Sequence, residues 1–265
     1  MIRATLYFEK GADIGTLVET LKTLPELIRP VYFAEDEGKI NKANGLDNEA
    51  RFRSFLKANP AGFFLYSESR ACINFTVTSG AGSEYSDMTL SLPDGLPCEL
   101  TKTFFKCLVE DKPVFGFACD DPERVPDANG SYVISHSDVS SEYEHRNRYY
   151  ITLGNNNIED WIGRKLDKYI PGVYWLTLLS DGLLAKHSVK LADLVADAMT
   201  TETLGDGSLH LLKFFESPED WKDNADRLDD LCERVKGVFS RRAVEAAVAG
   251  ATKFLEYDDV IANWR

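Results

Sequence analysis

The chain has 265 residues, of which 44% are hydrophobic and 28% are charged, as in an ordinary globular protein. These proportions exclude a collagen-like, coiled-coil or disordered chain, and no uncharged apolar stretch reaches the roughly 18 residues that a membrane-spanning helix needs. The net charge is −13, since 43 Asp and Glu residues outnumber 30 Lys and Arg residues. Such a chain repels nucleic acid and anionic membranes and attracts basic partners.

Six strands and three helices are predicted before residue 120. Alternating apolar and polar residues, or short apolar runs between turn residues, predict strands at 2–8, 31–33, 63–66, 71–78, 88–92 and 113–119. Apolar residues at helical spacing predict helices over 14–24, 48–58 and 97–110. Asp13 and Asp47 are the expected caps of the first two helices, and Pro97 opens the third.

After residue 148 the pattern of strands and helices resumes. Strands are predicted at 149–153 and 173–179, the second followed by a hairpin turn at 180–182 and a returning strand at 183–187. A further hairpin joins 201–204 to 208–215 through Gly205-Asp206-Gly207, and 154–157 is expected to be a turn. Helices are predicted over 158–169, 189–198, 218–239 and 243–248. Ser217, Pro218 and Asp220 fit an acidic capping box before the third of these helices.

The connection between the halves is polar and acidic. Residues 120–148 are rich in Pro, Asp, Asn, Gly and Ser, which is typical of a long loop. We therefore expect an N-terminal half at 1–119 and a C-terminal half of similar size at 149–265, with one continuous domain left open. The mixed order of strands and helices predicts the α+β class, with mixed or antiparallel sheets and helices packed on one face.

The sequence contains no recognisable catalytic or metal-binding motif. Its five cysteines form no CxxC pair, and its four histidines supply neither HExxH nor HxH spacing. GxSxG and GxxxxGK[ST] are missing, and Gly80-Ala81-Gly82 lacks the third glycine of a dinucleotide-binding turn. We therefore expect no catalytic residues, no metal and no cofactor, and a protein that acts by binding rather than by turnover. A convergent active site stays possible, because catalytic triads are defined by geometry.

Two segments carry nearly all of the net charge, because residues 120–144 and residues 216–233 each have a net charge of −6. Solvated acidic surfaces also keep proteins soluble, which is the simpler explanation. If a basic partner binds instead, the candidate partner-binding residues are Asp120, Asp121, Glu123, Asp127, Glu142 and Glu144, followed by Asp223, Asp226, Asp229 and Asp230.

A series of aromatic and glycine motifs in the second half is similar to a known family. The motifs are Trp161-Ile162-Gly163, Tyr169-Ile170-Pro171-Gly172-Val173-Tyr174-Trp175, Leu176-Thr177-Leu178-Leu179-Ser180, Leu184, Lys186-His187 and Pro218-Glu219-Asp220-Trp221. Their order, over about 149–239, resembles the immunity proteins of bacterial polymorphic and type VI secreted toxins, and among them the immunity protein 52 family. The first half carries no such resemblance beyond its strand–helix–strand opening.

The resemblance implies a protein that neutralises a cognate secreted toxin by stoichiometric binding inside the cell. An acidic inhibitor suits a toxin with a basic surface, such as a nuclease, because complementary charge speeds encounter. The first ten residues do not fit a secretory signal, so a cytoplasmic location is expected. Two alternatives stay open: an enzyme without a known motif, and a structural or adaptor protein of a secretion system. Whether the protein forms homo-oligomers is left undecided by the sequence.

Overall fold

Most strands of the protein join one antiparallel sheet. In this computed structural model, which describes residues 1–76, 85–120, 152–153, 156–157, 166–240 and 242, the strands are β1 (Ile2–Glu9), β2 (Tyr32–Ala34), β3 (Gly62–Tyr66), β4 (Cys72–Thr76), β5 (Tyr85–Leu92), β6 (Phe115–Asp120), β7 (Thr152–Leu153), β8 (Asn156–Asn157), β9 (Leu176–Ser180), β10 (Thr200–Leu204) and β11 (Leu209–Lys213). Nine of them form the sheet, in the order β10-β11-β9-β6-β1-β5-β4-β3-β2, and β7 pairs with β8 apart from it.

Strand β1 lies at the centre of this sheet, between β5 and β6. Residues 4–8 are buried on both faces of the strand, so both faces of the sheet are covered here. Side chains alternate between the faces of a strand, and the Thr5 hydroxyl therefore meets the Thr89 hydroxyl of β5, 2.9 Å away, on the face opposite Leu6. This hydrogen bond satisfies two polar groups that burial would otherwise leave unpaired.

The helices are α1 (Ile14–Leu21), α2 (Glu49–Ala58), α3 (Glu99–Cys107), α4 (Asp181–Lys186), α5 (Leu191–Val195) and α6 (Trp221–Arg234), with short 3-10 turns at Val109–Asp111 and Pro218–Asp220. Within the described ranges, no helix is both long and apolar enough to cross a bilayer. The large antiparallel sheet and its helices confirm the predicted α+β class.

Helices α1, α2 and α3 pack against the face of the sheet that carries Leu6. Phe52 and Phe55 of α2 contact Phe63 of β3, with ring centroids 6.2 and 6.1 Å apart. Helix α3 lies beside α1, since the Cys107 thiol donates to the Thr20 carbonyl over 3.3 Å. The other face is approached by α4, whose Lys186 ammonium donates to the Tyr85 hydroxyl at 3.1 Å. The prediction that the helices pack on one face alone is therefore wrong, because both faces of the central strands are apolar and need to be covered.

Local signals at helix starts give most of the predicted boundaries. Asp13 caps α1 as expected, accepting a hydrogen bond from the Gly15 N–H at 2.9 Å. Helix α2 is capped one residue later than expected, by Asn48 rather than Asp47. Helix α6 ends at Arg234 instead of near 239, because the chain becomes extended at Val235 and Gly237 takes a φ of +88°.

The predicted hairpin over 173–187 is wrong. Strand β9 is present, but α4 follows it where a turn and a returning strand were expected. The Ser180 side chain accepts a hydrogen bond from the Leu183 N–H at 3.2 Å, so Ser180 is a helix cap. The sequence Ser180-Asp181-Gly182 fits a hairpin turn and a helix start equally well. Burial of Leu183 and Leu184 favours the helix.

Several expectations fall outside the described residues. They are the predicted helix over 243–248, most of the helix over 158–169, and most of the strand over 149–153. Most of the acidic connection at 120–148 lies outside them too, so the division into two halves stays a prediction. Strands from both sides of that connection nevertheless lie in the same sheet, where β6 pairs with β9.

The tightest packing at this junction is at Gly116 of β6. A Cβ atom there would lie 2.5 Å from Leu6 Cδ2, 3.1 Å from the Thr5 carbonyl oxygen and 3.3 Å from Leu178 Cβ. We expect Gly116→Ala to lower the free energy of unfolding by about 1–3 kcal/mol, because the buried Leu6 side chain must shift, and the Thr5 carbonyl and Leu178 must give slightly, to admit the methyl group. Urea denaturation followed by circular dichroism measures this change.

A matched control is Gly182→Ala in α4, where the nearest heavy atom to the added Cβ is Ser180 Oγ at 3.9 Å. Alanine is the better helix former, so this variant should keep the stability or raise it by up to about 1 kcal/mol. Equal stability of the Gly116→Ala variant and the wild type would contradict the close packing of β1, β6 and β9.

Candidate functional site

The acidic helix α6 begins at the predicted capping box. The Ser217 N–H donates to Asp220 Oδ2 at 3.0 Å, and Pro218 opens the short 3-10 turn that leads into the helix. This arrangement satisfies backbone donors at the helix start and fixes where α6 begins. The predicted cap is therefore confirmed.

One side of α6 is buried against the rest of the protein and is anchored by Arg227. Leu228, Leu231 and Cys232 are buried on this side. The Arg227 guanidinium donates to the carbonyl oxygens of Asp197 and Phe214, at 2.8 and 2.6 Å, and to Asn224 Oδ1 at 3.1 Å. The first two hydrogen bonds join the helix to the segment after α5 and to the end of β11, and the third, to Asn224, lies within α6 and holds the guanidinium in place. The orientation of α6 is therefore fixed by a polar clamp as well as by apolar packing.

The opposite side of α6 carries four exposed carboxylates, which we call the acidic stripe: Asp223, Asp226, Asp230 and Glu233. Their spacing of three, four and three residues places them on one face of the helix. The side chains of Asp226, Asp230 and Glu233 are 92%, 63% and 54% exposed. Carboxylates this close together repel one another, and the stripe therefore favours a cation beside it.

Part of that positive charge comes from Arg242. Its guanidinium forms an ion pair with Asp230 and lies 3.4 Å from Asp226 and 3.8 Å from Glu233. The hydrogen bond to Asp230 and the charges of the nearby aspartates raise the pKa of Arg242. Among the described residues, one guanidinium against four carboxylates leaves the stripe negative. Asp223 and Asp226 are its least neutralised members, because Asp223 has no ion pair among the described residues and Asp226 has only the 3.4 Å contact.

A shallow groove of about 420 Å³ borders the first turn of α6. Asp197, Glu216, Asp220 and Asp223 contribute carboxylates to its lining, and Met199 contributes an apolar side chain. Two of these acids are in ion pairs, since Asp197 pairs with Arg234 and Glu216 lies 3.0 Å from the Lys213 ammonium. The groove thus continues the acidic surface but is less negative than the stripe itself.

The structure separates the residues that the sequence grouped as candidate contacts. Of the second group, Asp223, Asp226 and Asp230 belong to the stripe, whereas Asp229 is only 5% exposed and is directed inwards. Of the first group, Asp120 ends β6 with its side chain 19% exposed, 3.6 Å from the amino group of Met1. The other members, Asp121, Glu123, Asp127, Glu142 and Glu144, lie outside the described residues.

Sequence reasoning missed two side chains that shape this surface, Arg227 and Arg242. Arg227 lies just before the buried Leu228, and this position next to the apolar side of an amphipathic helix was an available signal of an anchoring role. Arg242 lies 12 residues after Asp230 in the sequence, and no local spacing connects Arg242 with the stripe.

A second groove, of about 460 Å³, lies near the ends of β1 and β9 and bears on the enzyme alternative. Asp111, whose pKa is raised by burial, and Asp181 line it. His210 Nε2 lies 2.8 Å from Asp181 Oδ1, a pairing that orients an imidazole. Within the described part of the chain, however, His210 Nδ1 has no hydrogen-bond partner, so no nucleophile is hydrogen-bonded to this ring. Nor do three or more His, Cys, Asp or Glu side chains of these ranges converge as a metal site.

The clamp made by Arg227 can be tested by stability. We expect Arg227→Met to lower the free energy of unfolding by about 1–3 kcal/mol, because the substitution removes three hydrogen bonds while keeping most of the apolar stem. Arg234→Met is the matched control: the Arg234 guanidinium is 59% exposed and, among the described residues, forms an ion pair with Asp197 alone, so its loss should cost no more than about 1 kcal/mol. Thermal and urea denaturation of both variants measure the difference, and equal losses would contradict the clamp.

Comparisons with known proteins add one distant likeness. Neither a protein-family model nor a curated protein sequence matches the chain. A solved structure, named as a T6SS protein of Pseudomonas aeruginosa, is similar at a TM-score of 0.45 and 16% identity. The similarity covers 80% of this chain and 64% of that one, so the chain spans less than two thirds of that protein. A likeness at this level carries no conclusion about function, and membership in the immunity protein 52 family is not confirmed.

Proposed function

We propose that this protein acts by binding a partner protein with a basic surface, and that the acidic stripe of α6 is the main contact. The observation that carries the proposal is the stripe itself. Four exposed carboxylates occupy one face of a helix whose orientation is held by Arg227, and Arg242 neutralises them only in part. A rigid surface of one charge sign favours rapid and selective encounter with a surface of the other sign.

The proposed partner is a secreted bacterial toxin, which the protein neutralises by forming a stoichiometric complex. This part of the proposal is supported by the resemblance of the motifs between 149 and 239 to immunity proteins, and by the net charge of −13. A toxin that acts on nucleic acid needs a basic surface for its substrate. An acidic inhibitor can occupy that surface without any cofactor, metal or chemistry of its own.

Binding can be tested by co-expression with the product of the adjacent upstream gene. The proposal predicts that the cells survive a toxin that kills them when it is expressed alone, and that the two chains co-purify in a fixed ratio. Failure to rescue together with failure to co-purify would contradict the toxin assignment. The enzyme and adaptor alternatives would then be examined at the groove beside Asp181 and by self-association.

The contribution of the stripe is tested by removing charge without reversing it. We expect the triple variant Asp223→Asn, Asp226→Asn and Asp230→Asn to weaken binding of the co-purified partner about ten-fold or more at low salt. Most of the loss should be in the association rate, because steering by exposed charge acts on encounter. Binding by this variant should also depend less steeply on salt concentration. Surface plasmon resonance over a salt series measures all three quantities.

The matched control removes the same number of charges elsewhere, with Glu26→Gln, Glu35→Gln and Glu37→Gln, which are exposed positions far from α6 in sequence. This variant should lose much less association rate than the stripe variant. Equal losses would mean that only net charge matters, and they would contradict a contact at the stripe. The Arg242→Gln variant should change the association rate in the opposite direction. It leaves the stripe more negative, so association should become faster.

A further inference from the structure

The two edges of the sheet differ in whether the outer strand is covered by another segment. At one edge, β2 is covered by the segment at 44–46: the Phe33 N–H donates to the Asn44 carbonyl at 3.0 Å, and the Leu46 N–H donates to the Val31 carbonyl at 2.8 Å. At the other edge, the backbone hydrogen bonds of strand β10 that involve other described strands go to β11 alone. Every second residue of β10 therefore directs its N–H and C=O groups away from the sheet.

Three of the five side chains of β10 also lie open to solvent. Thr200, Thr201 and Thr203 are exposed, and Met199, just before the strand, is 55% exposed. Threonine is β-branched and suits a paired strand. Natural edge strands are usually protected by Pro, by Lys or by unpaired charges. Strand β10 contains neither Pro nor Lys, and its one charged residue is Glu202.

The charge of Glu202 is already compensated. Its carboxylate forms ion pairs with Lys106 and, at 2.9 Å, with Lys102, both from α3. These hydrogen bonds from Lys106 and Lys102 hold the pKa of Glu202 below its ordinary value, so the carboxylate is ionised at neutral pH. With two ammonium groups around one carboxylate, Glu202 does not repel an approaching strand as an isolated edge charge would. Although the chain has a net charge of −13, the middle of β10 therefore carries no uncompensated carboxylate.

We propose that the occupant of this edge is a second copy of the chain, paired antiparallel along β10 about a two-fold axis at Glu202. The central residues Thr201-Glu202-Thr203 are self-complementary in this register, because Thr201 of one protomer faces the partner subunit's Thr203 and the reverse. The same surface then serves both copies, as a closed dimer requires. Two sheets of nine strands become continuous, and the outward N–H and C=O groups of β10 are paired.

The alternative occupant, an extended segment of a different protein, is less favoured by the charges. A basic segment, the kind that the net charge of the chain attracts, would meet Lys102 and Lys106 at this edge. In the dimer the two Glu202 carboxylates meet near the axis, where four lysines surround them. This pairing does not depend on binding of a toxin by the acidic stripe, and either proposal can fail without the other.

The surface area that the β10 pairing buries limits the affinity of the dimer. Five residues per protomer bury far less than the roughly 1,600 Å² of a standard interface, so we expect a dissociation constant in the micromolar range. The overall repulsion between two chains of charge −13 opposes association and is screened by salt. Dimerisation should therefore strengthen as salt is raised, whereas binding to a basic partner should weaken.

Sedimentation equilibrium of the purified full chain, over a concentration series at low and high salt, tests the dimer. A monomer at every concentration and salt would overturn the proposal. In a positive result, the Thr201→Asp/Thr203→Asp variant should raise the dissociation constant at least about ten-fold, because two pairs of like charges then face each other across the axis. The Thr201→Lys/Thr203→Lys variant should do the same.

Mixing these two variants provides the decisive readout. Opposite charges then face each other, so a one-to-one heterodimer should form although neither variant dimerises alone. A simple loss of folding cannot produce this rescue. The control is Ala50→Asp/Ser54→Asp on the exposed side of α2, which adds the same charge and should leave the dimer unchanged. A dimer that survives both β10 variants, or a mixture that stays monomeric, would overturn the assignment of this edge.

Discussion

The antiparallel pairing of β6 with β9 is the constraint on which the rest of the protein depends. It joins strands separated by about 60 residues of sequence, with Phe115 opposite Leu179 and Ala118 opposite Leu176. Gly116 lets this junction close, because Leu6 and Leu178 lie where a side chain would be. On the other face, the rings of Phe117 and Tyr174 pack with centroids 4.5 Å apart. Among the described strands, β9, β11 and β10 join the sheet only through this junction. Without it, β10 would not be an edge of the same sheet, and the segments that α6 packs against would not be attached to the central strands.

The two proposed interaction surfaces use different physics. The acidic stripe of α6 is polar, highly exposed and negative, and its value lies in the rate and selectivity of encounter. The edge formed by β10 is close to neutral, and its value lies in unpaired backbone groups that any extended strand can satisfy. Raising the salt concentration should weaken binding of a basic partner at the stripe and strengthen pairing of the β10 edges. The two surfaces share no residue, although Met199 before β10 and Asp223 of the stripe line the same groove.

The accuracy of the sequence predictions depended on whether the signal was local. Caps are local, and Asp13 and Ser217 were found because a side-chain oxygen must lie next to the backbone groups that it satisfies. The hairpin over 200–213 was found because its glycine-rich turn lies between two strand patterns. Helix α4 was missed because the sequence at its start fits both a hairpin turn and a helix cap. Burial of Leu183 and Leu184 against the rest of the fold selects the helical one.

The candidate surface shows the same division. The sequence by itself determined the net charge, its concentration in two segments, the α+β class and the helical spacing that aligns Asp223, Asp226 and Asp230. Only the tertiary structure decided that Asp229 is buried and that Arg242 lies against the stripe. It also decided that Arg227 clamps the helix and that one sheet edge is covered while the other is open. Spacing along a helix follows from covalent geometry, whereas burial and long-range pairing depend on which distant segments pack together.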